Sequence, residues 1–226
     1  MRIRNVLITG ASSGIGKAVK EKLTEEGHLV WGVSRTGDYQ IDLREVDQIG
    51  RKMEQILRKH PEIDTVICNA GKGRFGSLEE FSYGQMKEMI DVNFLSHAMI
   101  TRALLPHLKQ KEEADLMFMG SEAALQGKKK GSLYCASKFA LRGFAQALRE
   151  ECANTSVRVS MIQPGMVRTP FFLDLGFEAN ENALEAEDIA QLVSWILQQP
   201  HRIVFDEIAL SPLKKSYRKK DSLTKL

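Results

Sequence analysis

The sequence predicts an α/β fold, a mostly parallel sheet wound on both faces by helices. Three observations predict it. Short, nearly continuous apolar runs alternate with amphipathic stretches along the whole chain, as strands buried on both faces alternate with their crossover helices. The amphipathic stretches repeat at helical and not at strand spacing. The residues with chemical character fall just after the apolar runs, where such sheets bind ligands beyond the carboxyl ends of their strands.

The apolar runs lie at residues 5–9, 29–33, 65–69, 116–120, 157–162 and 203–210. A short extra run at 39–41 brings the sheet to about seven strands. Between them, Ile15, Ala18, Val19 and Leu23 form a helical stripe that Gly27 stops. Val46, Ile49, Met53, Ile56 and Leu57 form the next stripe. A longer helix is expected over 82–109, capped by Ser82, with Met86, Ile90, Ile100 and Leu104 on its buried face. Leu141, Phe144, Ala145, Leu148 and Cys152 mark a further helix, and Ile189, Leu192, Val193 and Ile196 the last.

A chain of 226 residues, 43% hydrophobic and 27% charged, has enough material for one large domain with a real core. No apolar run approaches a membrane span, and the N-terminus lacks the pattern of a signal peptide, so the expected location is cytoplasmic. Cys68, Cys135 and Cys152 have no metal spacing and read as reduced, buried thiols, so no metal site is expected. The domain is expected over residues 1–212. The tail, 213–226, holds six basic residues against Asp221, a net +5 that leaves the rest of the chain at −2. Such a terminus reads as solvated and loose, and Lys128–Lys130 as a charged loop; neither nucleic acid nor membrane is expected as partner.

After the first run comes Thr9-Gly10-Ala11-Ser12-Ser13-Gly14-Ile15-Gly16. Glycines at a strand-to-helix turn let the backbone approach a ligand, and the helix N-terminus aims its N–H groups at a phosphate. The spacing is G-x-x-x-G-x-G, unlike the G-x-G-x-x-G of the standard dinucleotide fingerprint. The context is that of a Rossmann-like, doubly wound sheet. After the second run stand Ser34 and Arg35, where an acidic residue would hold an adenosine ribose and repel a 2′-phosphate. Arginine suits bidentate phosphate contacts, which points to NADP(H) over NAD(H). Asn69-Ala70-Gly71, small or polar at a strand end, lets a flat ring pass close to the backbone.

Tyr134 and Lys138 stand four residues apart, sharing one helix face. Reduction of a carbonyl by hydride needs a proton delivered to the developing alkoxide. A free phenol titrates near pH 10, and a cation one turn away is expected to bring it toward working range. Ser121, just past the fifth run, can hydrogen-bond the substrate oxygen as its charge grows. Asn93 falls on the buried stripe of the long helix, where an amide needs partners. His97 shares that stripe and reads as a polar core residue.

In this order the motifs resemble the short-chain dehydrogenase/reductase (SDR) family over residues 6–212. The glycine turn, with Ser12, Ser13 and Ile15 inside it, is similar to the family's coenzyme turn. Asp42-Leu43 resembles its adenine contact and Asn69-Ala70-Gly71 its N-A-G motif. Asn93, Ser121 placed 13 residues before Tyr134, and Tyr134-x-x-x-Lys138 match its catalytic set. Pro164, Gly165, Val167 and Thr169 match its segment near the nicotinamide. The resemblance implies a fold of the Rossmann type and a nicotinamide dinucleotide cofactor, which Arg35 points to as NADPH. It implies Tyr134 as general acid/base and Lys138 tuning it while holding the ribose. It gives Asn93 a water relay to Lys138. It also implies a homodimer or homotetramer.

Two departures stand out. Only residues 35–40 separate the second and third strands, where the family carries a helix, so a loop is expected. The segment after Thr169 has room for a small lid rich in Phe171, Phe172, Leu173 and Phe177. With Leu133 and Met166 these suit an apolar substrate pocket; they suit packing within the lid equally well. The leading reading is thus an NADP(H)-dependent oxidoreductase acting on a small carbonyl or alcohol. The alternative is a non-catalytic NADP(H)-binding sensor or scaffold, which would have no need of the full Asn93, Ser121, Tyr134, Lys138 set. Dehydration or epimerisation would need a further acid–base pair, which the sequence does not offer.

Overall fold

The computed structural model describes residues 2–172 and 176–219. The elements run β1 (Asn5–Thr9), α1 (Gly14–Glu25), β2 (Leu29–Ser34), β3 (Tyr39–Gln40), α2 (Val46–Lys59) and β4 (Thr65–Cys68). Then come α3 (Tyr83–Ile90), α4 (Ser96–Leu108), β5 (Ala114–Met119), α5 (Ser132–Glu151), β6 (Val157–Pro164) and β7 (Val167–Arg168). The chain continues with β8 (Phe177–Ala179), β9 (Leu184–Glu185), α6 (Ala186–Gln198), β10 (Glu207–Leu210) and β11 (Tyr217–Lys219).

The main sheet has seven strands in the order β10-β6-β5-β4-β1-β2-β3, every neighbouring pair parallel. Strand order reverses between β1 and β4, which sets the ligand crevice at the carboxyl ends of those two strands. One buried cluster, built on Ile49, Met53, Ile100, Leu104 and Leu141, packs α2, α4 and α5 on one face. Another, built on Val19, Leu23, Ile189 and Val193, packs α1 and α6 on the other. The apolar runs are strands because a doubly covered sheet buries both of their faces: β4, β5 and β6 are buried at every position.

Ser82 caps α3 as expected, its hydroxyl accepting from Gln85 N at 3.3 Å within a reciprocal capping box. The long helix is interrupted by a π-helical turn over Asp91–Leu95. That inserted residue rotates the helix face, so Met89 is buried while Met86 and Ile90 are only half-buried, unlike the regular stripe expected. Such turns concentrate at functional sites, and this one turns Asn93 fully inward. The link from β2 to β3 is a short turn without helix, as expected. Asp38 pins it, its Oδ2 accepting from Gly32 N at 2.6 Å and from Lys20 Nζ at 2.5 Å.

The end of the chain differs from expectation. The tail was expected to be loose, but Tyr217–Lys219 pairs antiparallel with Phe177–Ala179. A backbone bond from Asn180 N to Ser216 O, 2.9 Å, extends the pairing. The Phe177 ring and the backbone groups of β8 supply partners that an isolated charged run lacks. Leu173 of the expected lid, and the tail from Lys220 on, lie outside the described residues. Among the described residues no helix is long and apolar enough to cross a membrane, and no cluster of potential metal ligands occurs.

Candidate active site

The glycine turn and the end of β4 are stitched into one plate at the crevice. Thr9 Oγ1 accepts from Asn69 N and Ala70 N, both at 3.0 Å. Asn69 Nδ2 donates to Thr9 O at 2.9 Å. Gly10 has φ +70°, a conformation that side chains resist, and a Cβ there would lie 2.9 Å from Ala70 Cα. A Cβ on Gly16 would lie 2.3 Å from Gly10 O. The glycines therefore let helix, strand and turn touch backbone to backbone. Asn69, expected as a cofactor contact, holds the turn to β4 through its Nδ2, which donates to Thr9 O and lies 3.5 Å from Gly10 O.

Helix α1 begins without a side-chain cap and with no acidic residue in its first turn. Ser12 and Ser13 are exposed beside its N-terminal N–H groups. This is the uncompensated positive end that fits a phosphate. Thr169 closes the far side of the turn, its Cβ 3.2 Å from where a Gly14 Cβ would stand. Ile15 packs on the α1–α6 core, and Leu43 and Val167 are buried, so these three can offer a ligand mainly backbone.

At the end of β2, Ser34 is buried, its hydroxyl accepting from Thr36 N at 3.2 Å, and Arg35 is exposed. Asp42 is held by Arg44, whose Nε reaches both carboxylate oxygens at 3.0 Å. That hydrogen bonding, more than the nearby Arg35 charge, lowers the Asp42 carboxyl to about 2. The carboxylate, expected as an adenine contact, is engaged by Arg44 in a partly exposed pair.

The second half of the site sits where β4, β5 and α5 meet. Tyr134 lies in the first turn of α5, buried, and Lys138 follows one turn later, also buried. Lys138 Nζ donates to Met119 O at 3.0 Å, at the end of β5. A Cβ on Gly71 would stand 3.6 Å from both Lys138 Nζ and Asn93 Oδ1, so Gly71 leaves both groups clear. Asn93 Oδ1 accepts from Lys72 N at 2.7 Å, and its Nδ2 donates to Lys72 O at 2.9 Å and to Ser137 Oγ at 3.0 Å. His97 is a core residue as expected, its Nε2 against Ala70 O at 2.8 Å. Burial, with the charge of Lys138, lowers its imidazole to about 3.

Burial also lowers the Lys138 ammonium to about 8. Tyr134 moves opposite to expectation: burial pushes its phenol up to about 12, a hydrogen bond with Ser121 pulls it back, and Glu122 adds to the rise. The physical reason is the roof over it. The Phe75 and Phe171 rings stand 5.2 and 5.9 Å from the tyrosine ring and exclude water. Leu133 packs on the same cluster, whereas Met166 is half-buried along the neighbouring strand pair.

Ser121 caps the turn after β5, its Oγ accepting from Ala123 N at 3.1 Å. Its own N–H donates to Gln163 Oε1 at 2.7 Å, and Gln163 Nε2 donates to Glu207 Oε1 at 3.2 Å. Pro164 is buried at the end of β6, and Gly165 N donates to Leu210 O at 2.7 Å. Phe75, Gln163 and Glu207 went unnoticed in the sequence. A buried glutamine two residues before a glycine turn was the one available signal for Gln163.

The family model described as short chain dehydrogenase matches residues 4–176. The chain is 28% identical over 222 residues to an uncharacterized oxidoreductase of Staphylococcus epidermidis, covering 92% of this chain and 96% of that one. It is 31% identical over 193 residues to a 3-ketodihydrosphingosine reductase of Bacteroides thetaiotaomicron, covering 82% and 70%. Its fold matches the alcohol dehydrogenase of the archaeon Thermococcus sibiricus, solved with 5-hydroxy-NADP. The TM-score is 0.86 at 25% identity, with 94% and 97% of the two chains covered. The chain belongs to the short-chain dehydrogenase family and is an oxidoreductase by that membership.

Proposed function

We propose that this member of the short-chain dehydrogenase family reduces a small apolar carbonyl compound with NADPH, with Tyr134 as proton donor. The observation that carries the reading is convergence. The uncapped α1 terminus, the Gly71 gap and the Tyr134–Lys138 pair all lie at the carboxyl ends of neighbouring strands. The solved alcohol dehydrogenase holds an NADP derivative in the same fold, which supports a nicotinamide cofactor here.

In this reading the pyrophosphate rests on the Gly10–Gly16 turn, with the backbone of Ser12, Ser13 and Ile15. Arg35, exposed at the end of β2, takes the 2′-phosphate, which favours NADPH over NADH. Gly71, Pro164, Gly165 and Thr169 border the nicotinamide, which supplies the hydride when bound. Ser121 Oγ and the Tyr134 hydroxyl hold the substrate oxygen. Tyr134 then gives its proton to that oxygen as charge develops there. With its pKa near 12 the phenol carries its proton at neutral pH but is a weak acid, so its donation needs the nearby Lys138 charge to stabilise the phenolate left behind. Lys138 lies one turn away to stabilise the phenolate that remains and to hold a ribose hydroxyl. Asn93 acts through Ser137 and the Lys72 backbone, fixing the start of α5. Phe171, Leu133 and Met166 border the substrate.

The test is a titration with NADPH and NADH, followed by a carbonyl panel read at the reduced-nicotinamide absorbance. Preference for NADPH with turnover on apolar ketones or aldehydes supports the reading. Tight cofactor binding without turnover on any carbonyl replaces it with the binding-only alternative.

A further inference from the structure

The end of the chain reaches back to the site. After β10, Pro212 packs on Gly165, its Cδ 3.0 Å from where a Cβ would stand there. Beyond it, Lys215 O accepts from Asn180 Nδ2 at 3.1 Å and from Asn182 Nδ2 at 3.2 Å. Ser216 is buried and Ser216 O accepts from Asn180 N. Strand β11 then pairs with β8, Tyr217 opposite Ala179, Arg218 opposite Glu178 and Lys219 opposite Phe177. The two strands form a sheet of their own. A ribbon of that size is marginal alone, so what it packs on decides its stability.

It packs on a relay of rings that ends at Tyr134. The Tyr217 ring stands 6.3 Å from Phe177, Phe177 stands 5.3 Å from Phe75, and Phe75 stands 5.2 Å from Tyr134. For a substrate to take more room beside Tyr134, Phe75 or Phe171 must yield; Phe177 stands behind Phe75, and Tyr217 behind Phe177. The Arg218–Glu178 pair, 2.7 Å and exposed, adds little by itself. The backbone pairing and the Tyr217 ring are the parts of the brace that reach the aromatic wall.

We propose that strand β11 belongs to the substrate site, bracing its aromatic wall, and that Tyr217 acts as a positioning residue that limits the size of the carbonyl compound admitted. The size limit rests on the reductase reading; the brace does not. The test uses the full-length chain and two variants. Tyr217→Ala removes the ring. E178C/R218C places two cysteines at directly opposed positions, where an antiparallel pair can be bridged and released by a reductant; Cys68, Cys135 and Cys152 are buried and do not compete.

Amide exchange of the Asn180 N–H, NADPH affinity, and kcat/KM for a bulky aryl ketone and a small aliphatic ketone are measured on each. Tyr217→Ala should speed exchange at Asn180 and raise the bulky-to-small ratio about tenfold. The oxidised double-cysteine chain should slow exchange and favour the small ketone relative to its reduced form. NADPH affinity should change by less than about twofold, since the brace is remote from the phosphate turn. An unchanged ratio in both variants overturns the size limit, and unchanged exchange overturns the brace. A wild-type chain that binds NADPH and reduces neither ketone sinks the reductase reading, and the size limit with it. The brace is then decided by exchange at Asn180 alone.

Discussion

Asn93 Nδ2 donates to Ser137 Oγ at 3.0 Å, and Ser137 Oγ donates onward to Tyr134 O at 2.7 Å. This ties the π turn of the long helix to the first turn of α5. With Lys72 bonded to the same amide, Asn93 spends its polar atoms on holding three segments together. The direct bonds make it a structural clamp beside the reacting groups.

Replacing Asn93 by leucine should therefore destabilise the protein as well as slow it. The variant removes the partner of the Lys72 N–H and of the Lys72 carbonyl, each costing about 1–3 kcal/mol where water cannot replace it, while the Ser137 hydroxyl keeps its bond to Tyr134 O. For a chain of this size the melting temperature should fall by about 5 °C or more. A thermal melt checks it, and an unchanged midpoint would mean that water replaces the amide at no cost.

Gly16→Ala should prevent α1 from seating. The added Cβ meets Gly10 O at 2.3 Å and the Asn69 amide at 2.4 Å, and both belong to the stitched plate and cannot retreat. Soluble yield and NADPH binding should fall together. Gly143→Ala, where a Cβ meets nothing within 4 Å, is the matched control and should behave as wild type.

Arg35→Ala should raise the KM for NADPH about tenfold and leave that for NADH within about twofold, the difference being one charge-assisted contact to the 2′-phosphate. Steady-state kinetics with both cofactors reads it. Equal losses with the two would place Arg35 elsewhere on the nucleotide.

Lys138 makes a pH prediction. Its ammonium titrates at about 8 in the folded chain against 10.5 for the free group. The unfolded chain therefore holds this proton more tightly, and burial of the charge destabilises the fold at every pH below about 8. That penalty fades as pH rises from 8 toward 10.5. Lys138→Met removes it, so the variant's gain in melting temperature should be largest at pH 7 and shrink across that window. A gain that does not vary with pH would contradict a charged, buried Lys138.

Much of this was legible in the sequence because it rests on local signals. Strand β1 ends at Thr9 where the apolar run meets glycine, and Ser82 caps a helix because its hydroxyl and Gln85 satisfy each other within one turn. The site motifs were legible for the same reason: chemistry concentrates at strand ends. What escaped depends on contacts far apart in the chain. Phe75 and Phe177 meet only in the folded protein, and Tyr217 finds its strand partner 38 residues upstream at Ala179. No periodicity announces a pair of three-residue strands. The Tyr134 phenol also moved against expectation, because spacing shows its lysine neighbour but not the rings that bury it.

The most direct measurement is single-turnover reduction of an apolar ketone by NADPH, in wild type and in Tyr134→Phe, with cofactor affinity determined on both. The account predicts that the phenylalanine chain binds NADPH within about twofold of wild type and loses about 10²–10⁴-fold in the rate of the chemical step, the span expected for removing a positioned proton donor. A Tyr134→Phe chain that reduces the ketone at the wild-type rate would show that the proton comes from elsewhere, and would contradict the assignment at the centre of the site.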